Sequence, residues 1–82
     1  MKILYFAALR EKIGVSHEEK QVDALTAKAL IKELRSQGEN YELAFSDLNE
    51  IRVAIDQKLI SDLDTPIINA KEVAFFPPMT GG

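Results

Sequence analysis

The chain has 82 residues, 46% of them hydrophobic and 28% charged; that length holds one domain with no room for a second core, and the composition is too apolar for a disordered chain. Against 13 acidic residues stand 10 basic ones, a formal net charge of −3, so the cationic excess that polyanion binding needs is missing and nucleic acid is not an expected partner. Cysteine is absent and His17 is the single histidine, which removes disulfides, thiolate catalysis and a structural zinc site, and leaves no expected metal.

The apolar start from Met1 to Leu9 is interrupted by Lys2 and followed by Arg10, Glu11 and Lys12. It is too short for a signal peptide or a membrane span, and a cytoplasmic location with no membrane partner is expected. Ile3-Leu4-Tyr5-Phe6-Ala7 is apolar at both parities and predicts a strand in the middle of a sheet. Leu9 to Ile13, followed by Gly14, predicts one helical turn stopped by a residue that tolerates left-handed geometry. His17 is placed in a loop, and residues 18–22 form a charged edge strand.

Thr26 stands where an N-cap would, and Ala27, Leu30, Ile31 and Leu34 share one helical face, with Gly38 as the expected C-terminal stop. Lys28, Lys32, Glu33 and Arg35 lie on the other face and are read as ordinary solvation. Residues 41–45 predict a short helix whose aromatics fill the core. Residues 51–55 and 58–60 predict a hairpin through Asp56-Gln57, Pro66 and Asn69 mark turns, and residues 72–76 form the last strand. Strands before and after one main helix define an α+β domain over residues 1–76, a mixed sheet crossed by a helix.

The segment after Phe76 carries the chemistry. Pro77-Pro78 cannot donate ladder hydrogen bonds and hold φ fixed, so residues 77–82 leave the sheet as an extended tail. Six extended residues reach about 20 Å, enough to thread Met79, Thr80, Gly81 and Gly82 into a pocket on another protein. Without side chains, Gly81-Gly82 passes a constriction that any Cβ would block. The terminal carboxylate, an anion at neutral pH, becomes an acyl donor only after activation, for which adenylation suffices. A sulfur nucleophile would then leave a thiocarboxylate on Gly82. A frayed, inert end is the plain alternative.

Phe75-Phe76-Pro77-Pro78-Met79-Thr80-Gly81-Gly82, with Glu72-Val73-Ala74 before it, resembles the ending of the molybdopterin synthase small subunits, the sulfur carriers of molybdenum cofactor synthesis. Phe6-Ala7-Ala8-Leu9-Arg10-Glu11 and Val53-Ala54-Ile55-Asp56-Gln57 are similar to that family's opening strand and its strand before the hairpin. Asp56 stands where relatives often have Asn, and Asn69-Ala70-Lys71 replaces a turn richer in Gly and Asp. The resemblance implies a β-grasp, ubiquitin-like fold and a carrier that is no enzyme by itself and binds no cofactor tightly. A ubiquitin-activating-like partner would use ATP and magnesium to adenylate Gly82, and a sulfur donor system would convert it to the thiocarboxylate. The large subunit of the synthase, in a heterotetramer of two large and two small chains, would pass the sulfur to cyclic pyranopterin monophosphate.

For docking, Phe6, Leu59 and Phe76 are the candidate apolar patch, since strand alternation can place Phe6 and Phe76 on one face; a core role for them stands beside it. Arg10 is a candidate partner contact, with a solvated surface charge as its alternative. Three other functions fit the same tail: a carrier for another sulfur acceptor, as in thiamine synthesis, a modifier conjugated to lysines through Gly82, and an interaction module with an inert end.

Overall fold

The computed structural model describes residues 1–78. Five strands, β1 (Lys2–Tyr5), β2 (His17–Glu19), β3 (Arg52–Ile55), β4 (Lys58–Ile60) and β5 (Glu72–Phe76), form one sheet in the order β2-β1-β5-β3-β4. Three helices, α1 (Ala7–Ile13), α2 (Ala27–Arg35) and α3 (Glu39–Ala44), and a 3₁₀ turn at Leu48–Glu50 connect them. The sheet is mixed: β1 and β5 pair in parallel, and every other neighbouring pair is antiparallel.

The core forms where one face of the sheet meets the helices. Ile3, Tyr5, Val53, Val73 and Phe75 point down from alternate strand positions onto Leu9, Leu30, Ile31, Leu34 and Phe45, all buried. Phe75 is the hub, edge-on to Phe45 at 5.1 Å between ring centres and stacked on Tyr5 at 6.2 Å. Tyr5 keeps its polar end satisfied by donating to the Glu18 carboxylate at 2.7 Å, and Tyr41 donates to the same oxygen at 2.8 Å. Burial, reinforced by the carboxylate, pushes the Tyr5 phenol far above its ordinary value, and the same two causes push Tyr41 up to about 12.

Thr26 caps α2 as its sequence position implies, its hydroxyl accepting from the Ala29 N–H at 3.1 Å. Gly14 closes α1 in the left-handed region, φ 97, and its N–H reaches the Arg10 carbonyl at 2.8 Å.

Several expectations are corrected. The middle strand is β5, because β1 runs alongside it in parallel and takes β2 on its other edge. Moreover, β1 ends at Tyr5: Phe6 caps α1, and Ala7 turns the chain off the sheet with φ 52. Gly38 does not end α2. Ser36 does, its hydroxyl donating to the Glu33 carbonyl at 2.6 Å while the Gln37 N–H donates to the Leu34 carbonyl three residues back and tightens the last turn. Gly38 opens α3 instead, where a Cβ would meet Asn40 at 2.9 Å. Strand β2 is shorter than residues 18–22 and includes His17, because β1 offers only Lys2 to Leu4 as ladder partners. The main helix α2 is joined by two short ones: α3 replaces the short helix expected at 41–45, and the turn expected at 9–13 starts two residues earlier and is a full short helix, α1, packed against α3.

Candidate functional site

All three helices pack on one face of the sheet, and the register defines what the other face presents. One row crosses all five strands: His17 opposite Leu4, Leu4 beside Ala74, Ala74 opposite Ala54, and Ala54 opposite Leu59. Leu4, Ala54 and Ala74 are half-buried only by their neighbours, and Leu59 is 68% exposed. Toward one end the row gives way to charge, with Glu19, Lys2 and Glu72 side by side. Toward the other end stand Phe76 and, opposite it, Arg52.

At that second end lies an apolar depression of about 400 Å³ lined by Phe6, Ala7, Ala74, Phe76, Pro77 and Pro78. Phe6 is 45% exposed, although its N–H still bonds to the Phe75 carbonyl at 3.1 Å. The left-handed turn at Ala7 lets the backbone leave the sheet while the Phe6 ring stays beside Phe76. That conformation costs a non-glycine residue on the order of 1 kcal/mol. Pro77 and Pro78 continue from β5 at the edge of this depression, so the tail departs from the apolar end of the uncovered face. A hydrophobic row ending in an exposed ring, Phe6, and a half-buried one, Phe76, has the composition of a protein docking surface.

Phe6, Leu59 and Phe76 therefore share one face. Arg10 is exposed on α1, while Leu9 and Ile13 of that helix are buried; among the described residues it makes no ion pair. Met79, Thr80, Gly81 and Gly82 lie outside the described residues. Leu4, Ala7, Ala54 and Ala74 were not singled out in the sequence, and the signal for three of them is the alternation of the strand runs: a buried Val53 and Val73 put Ala54 and Ala74 on the opposite side. Ala7 carried no such signal, because nothing local marks an alanine for positive φ.

The base of this surface is held by the β3–β4 turn. Asp56 and Gln57 both have positive φ, 48 and 71, the geometry of a two-residue hairpin turn that follows the sheet's twist. The Asp56 carboxylate accepts from the Lys71 and Glu72 N–H groups at 2.9 and 3.0 Å, and its own N–H donates to the Glu72 carbonyl at 2.9 Å. Asp56 thus clamps the start of β5, the strand from which Pro77 and Pro78 continue. Among the described residues there is no cluster of three metal-ligating side chains, and no helix is long and apolar enough to cross a membrane.

A mixed sheet whose first and last strands pair in parallel beside its centre, with helices on one side only, is the β-grasp fold of ubiquitin-like proteins. SAMP1 from Haloferax volcanii shares it, with a TM-score of 0.76 and 26% identity over 100% of this chain and 98% of that one. By its sequence the chain belongs to the ThiS family, whose model matches residues 3–82. It is 39% identical over 82 residues to the molybdopterin synthase sulfur carrier subunit of Escherichia coli, covering 100% of this chain and 99% of that protein. The molybdopterin synthase sulfur carrier subunit of Haemophilus influenzae matches with the same identity and coverage.

Proposed function

We propose that this chain is the sulfur-carrying small subunit of a molybdopterin synthase and that Gly82 is the group that carries the sulfur. The observation that carries the reading is the end-to-end similarity to two chains bearing that name, Gly-Gly terminus included in the matched family span. The geometry of the body fits it, since the uncovered apolar row runs to Phe6 and Phe76 at the root of the tail.

In this reading the Gly82 carboxylate attacks the α-phosphate of ATP on a ubiquitin-activating-like partner that also holds the magnesium. Pyrophosphate leaves, and the glycyl carbon now bears AMP as a good leaving group. A sulfide-level nucleophile from a donor system then adds to that carbon and expels AMP, giving a terminal thiocarboxylate. No cysteine of this chain is needed. The charged tail, Pro77 to Gly82, enters the large subunit, where the thiocarboxylate sulfur bonds to a carbon of cyclic pyranopterin monophosphate and displaces an oxygen leaving group; water then cleaves the resulting thioester at the Gly82 carbonyl, leaving the sulfur on the substrate and restoring the carboxylate for another cycle. Phe6, Leu59 and Phe76 seat the sheet on its partners, with Arg10 at the rim, in a heterotetramer of two large and two small chains. The chain is not an enzyme alone and works in the cytoplasm.

The test is the intact mass of the protein after incubation with its adenylating partner, ATP and a sulfide source. The expected gain is one oxygen replaced by sulfur, absent when Gly82 is deleted. Conversion of the wild type under conditions that charge another carrier, but with equal conversion of the deletion variant, would remove Gly82 from the role; no gain at all would overturn the sulfur-carrier reading.

A further inference from the structure

The helical side of the molecule has an unoccupied groove of its own. It is about 660 Å³, open, and runs along α2 toward Leu48, with Glu42 of α3 on its far side. Its floor includes Ile31, which is buried as part of the core, and the half-buried Leu48. Lys28 and Lys32 stand on its rim one helical turn apart, and Arg35 continues the line into the last turn. Arg35 is neutralised by its ion pair with Glu42 on α3. Among the described residues, Lys28 and Lys32 have no carboxylate within ion-pair distance.

Lys28 and Lys32 thus leave two cations beside an apolar floor in a chain of net charge −3. We infer that this groove is a second docking surface, and that it takes an amphipathic helix of a partner protein whose apolar ridge is flanked by carboxylates four residues apart. Residues at i and i+4 on a helix lie about 6 Å apart, so a Glu pair of that spacing matches Lys28 and Lys32. The 9 residues of α2 make a groove about 14 Å long, room for some two and a half turns of a partner helix.

Physical considerations separate this occupant from others. A second copy of the chain, docking by a two-fold axis, would set Lys28 and Lys32 against cations of the same surface. A membrane would need protruding apolar side chains, whereas here the apolar atoms form a recess. A nucleic-acid backbone would need a wider cationic field than two lysines supply. The groove lies on the layer opposite the uncovered sheet face, so a carrier docked through that face leaves it open. A partner held there could stay bound while the tail is engaged elsewhere.

The experiment is a titration of the isotopically labelled full chain with a synthetic helical peptide of Leu ridge and Glu pairs at i and i+4, followed by amide chemical shifts. Saturable shifts at Lys28 to Ser36, Glu42 and Leu48 are expected. Affinity should fall about tenfold or more in Lys28→Glu/Lys32→Glu, both exposed positions, and decline with added salt. The same peptide with Lys in place of Glu should not bind. The inference is overturned by an absence of saturable shifts, by shifts centred on Leu4, Ala54 and Ala74, or by undiminished affinity in the double variant. Equal perturbation by inorganic phosphate or by anionic vesicles, or a concentration-dependent doubling of mass that Lys28→Glu/Lys32→Glu abolishes, would also overturn it.

Discussion

Phe75 and Phe76 are the same residue type one position apart, and the structure gives them opposite work. Phe75 has no exposed surface and contacts Phe45 and Tyr5 through its ring. Phe75→Ala removes a fully packed aromatic and leaves a cavity, a loss of about 3–5 kcal/mol. A domain of this size is stable by only about 4–12 kcal/mol, so the variant should be largely unfolded on modest heating. Phe76 is half-buried on the uncovered face. Its truncation forfeits roughly half the burial energy of a phenylalanine, about 1 kcal/mol, and should lower Tm by about 4–8 °C. Its main effect should fall on association: in the proposed docking face Phe76 is one of the aromatic anchors, and its loss should weaken binding to the proposed partner, the large subunit of the synthase, by about tenfold or more. Urea denaturation followed by circular dichroism reads the first quantity, and calorimetric titration of the folded variant with the large subunit reads the second. If Phe76→Ala bound the large subunit as tightly as the wild type, or if it lost as much stability as Phe75→Ala, the division between core face and docking face would be wrong.

Further outcomes follow from the same geometry. Asp56→Ala gives up two hydrogen bonds from the β5 backbone at 2.9 and 3.0 Å and puts an alanine at positive φ, a cost of about 2 kcal/mol; Asp56→Asn keeps an acceptor oxygen and the turn preference and should stay within about 0.5 kcal/mol of wild type, as chemical denaturation would record. Gln57→Gly relieves positive φ at an exposed turn position and should raise Tm by about 2–4 °C, whereas a fall would argue against the turn geometry. The Tyr41 phenol is raised from 10.0 to about 12, so the folded state holds a proton that the unfolded chain has released between those values. Its contribution is fully present below about pH 10 and lost as pH rises through 12; urea midpoints measured across that range should fall more steeply in the wild type than in Tyr41→Phe.

Local sequence was sufficient where the deciding interaction is itself local. The Thr26 cap and the spacing of Ala27, Leu30, Ile31 and Leu34 specify α2 because its cap bond and its buried face both lie within a few residues. Gly14 marks the stop of α1 because only the backbone conformation at that residue is involved. Asp56-Gln57 marks a turn, and the Pro-Pro pair ends the ladder because proline has no N–H to give. The residues from Phe75 to Gly82 carry the resemblance to the sulfur carrier subunits in a contiguous stretch, and the full-length similarity to two such chains agrees with it.

Tertiary structure decided what depends on residues far apart in the chain. Gly38 satisfies the rule for ending α2, yet Ser36 ends it, since the glycine is taken up by the start of α3 against Asn40. The five-residue apolar run at the N-terminus could not say which neighbours it would have, and its parallel pairing with the last strand is what makes β5 the centre. The row from Leu4 through Ala74 and Ala54 to Leu59 exists only in the register of four strands drawn from both ends of the chain. Alternation along a strand separates two faces but does not say which one the helices will cover; that choice is made by the packing of Leu30, Ile31, Leu34 and Phe45 on Phe75, and it leaves Phe76 at the surface.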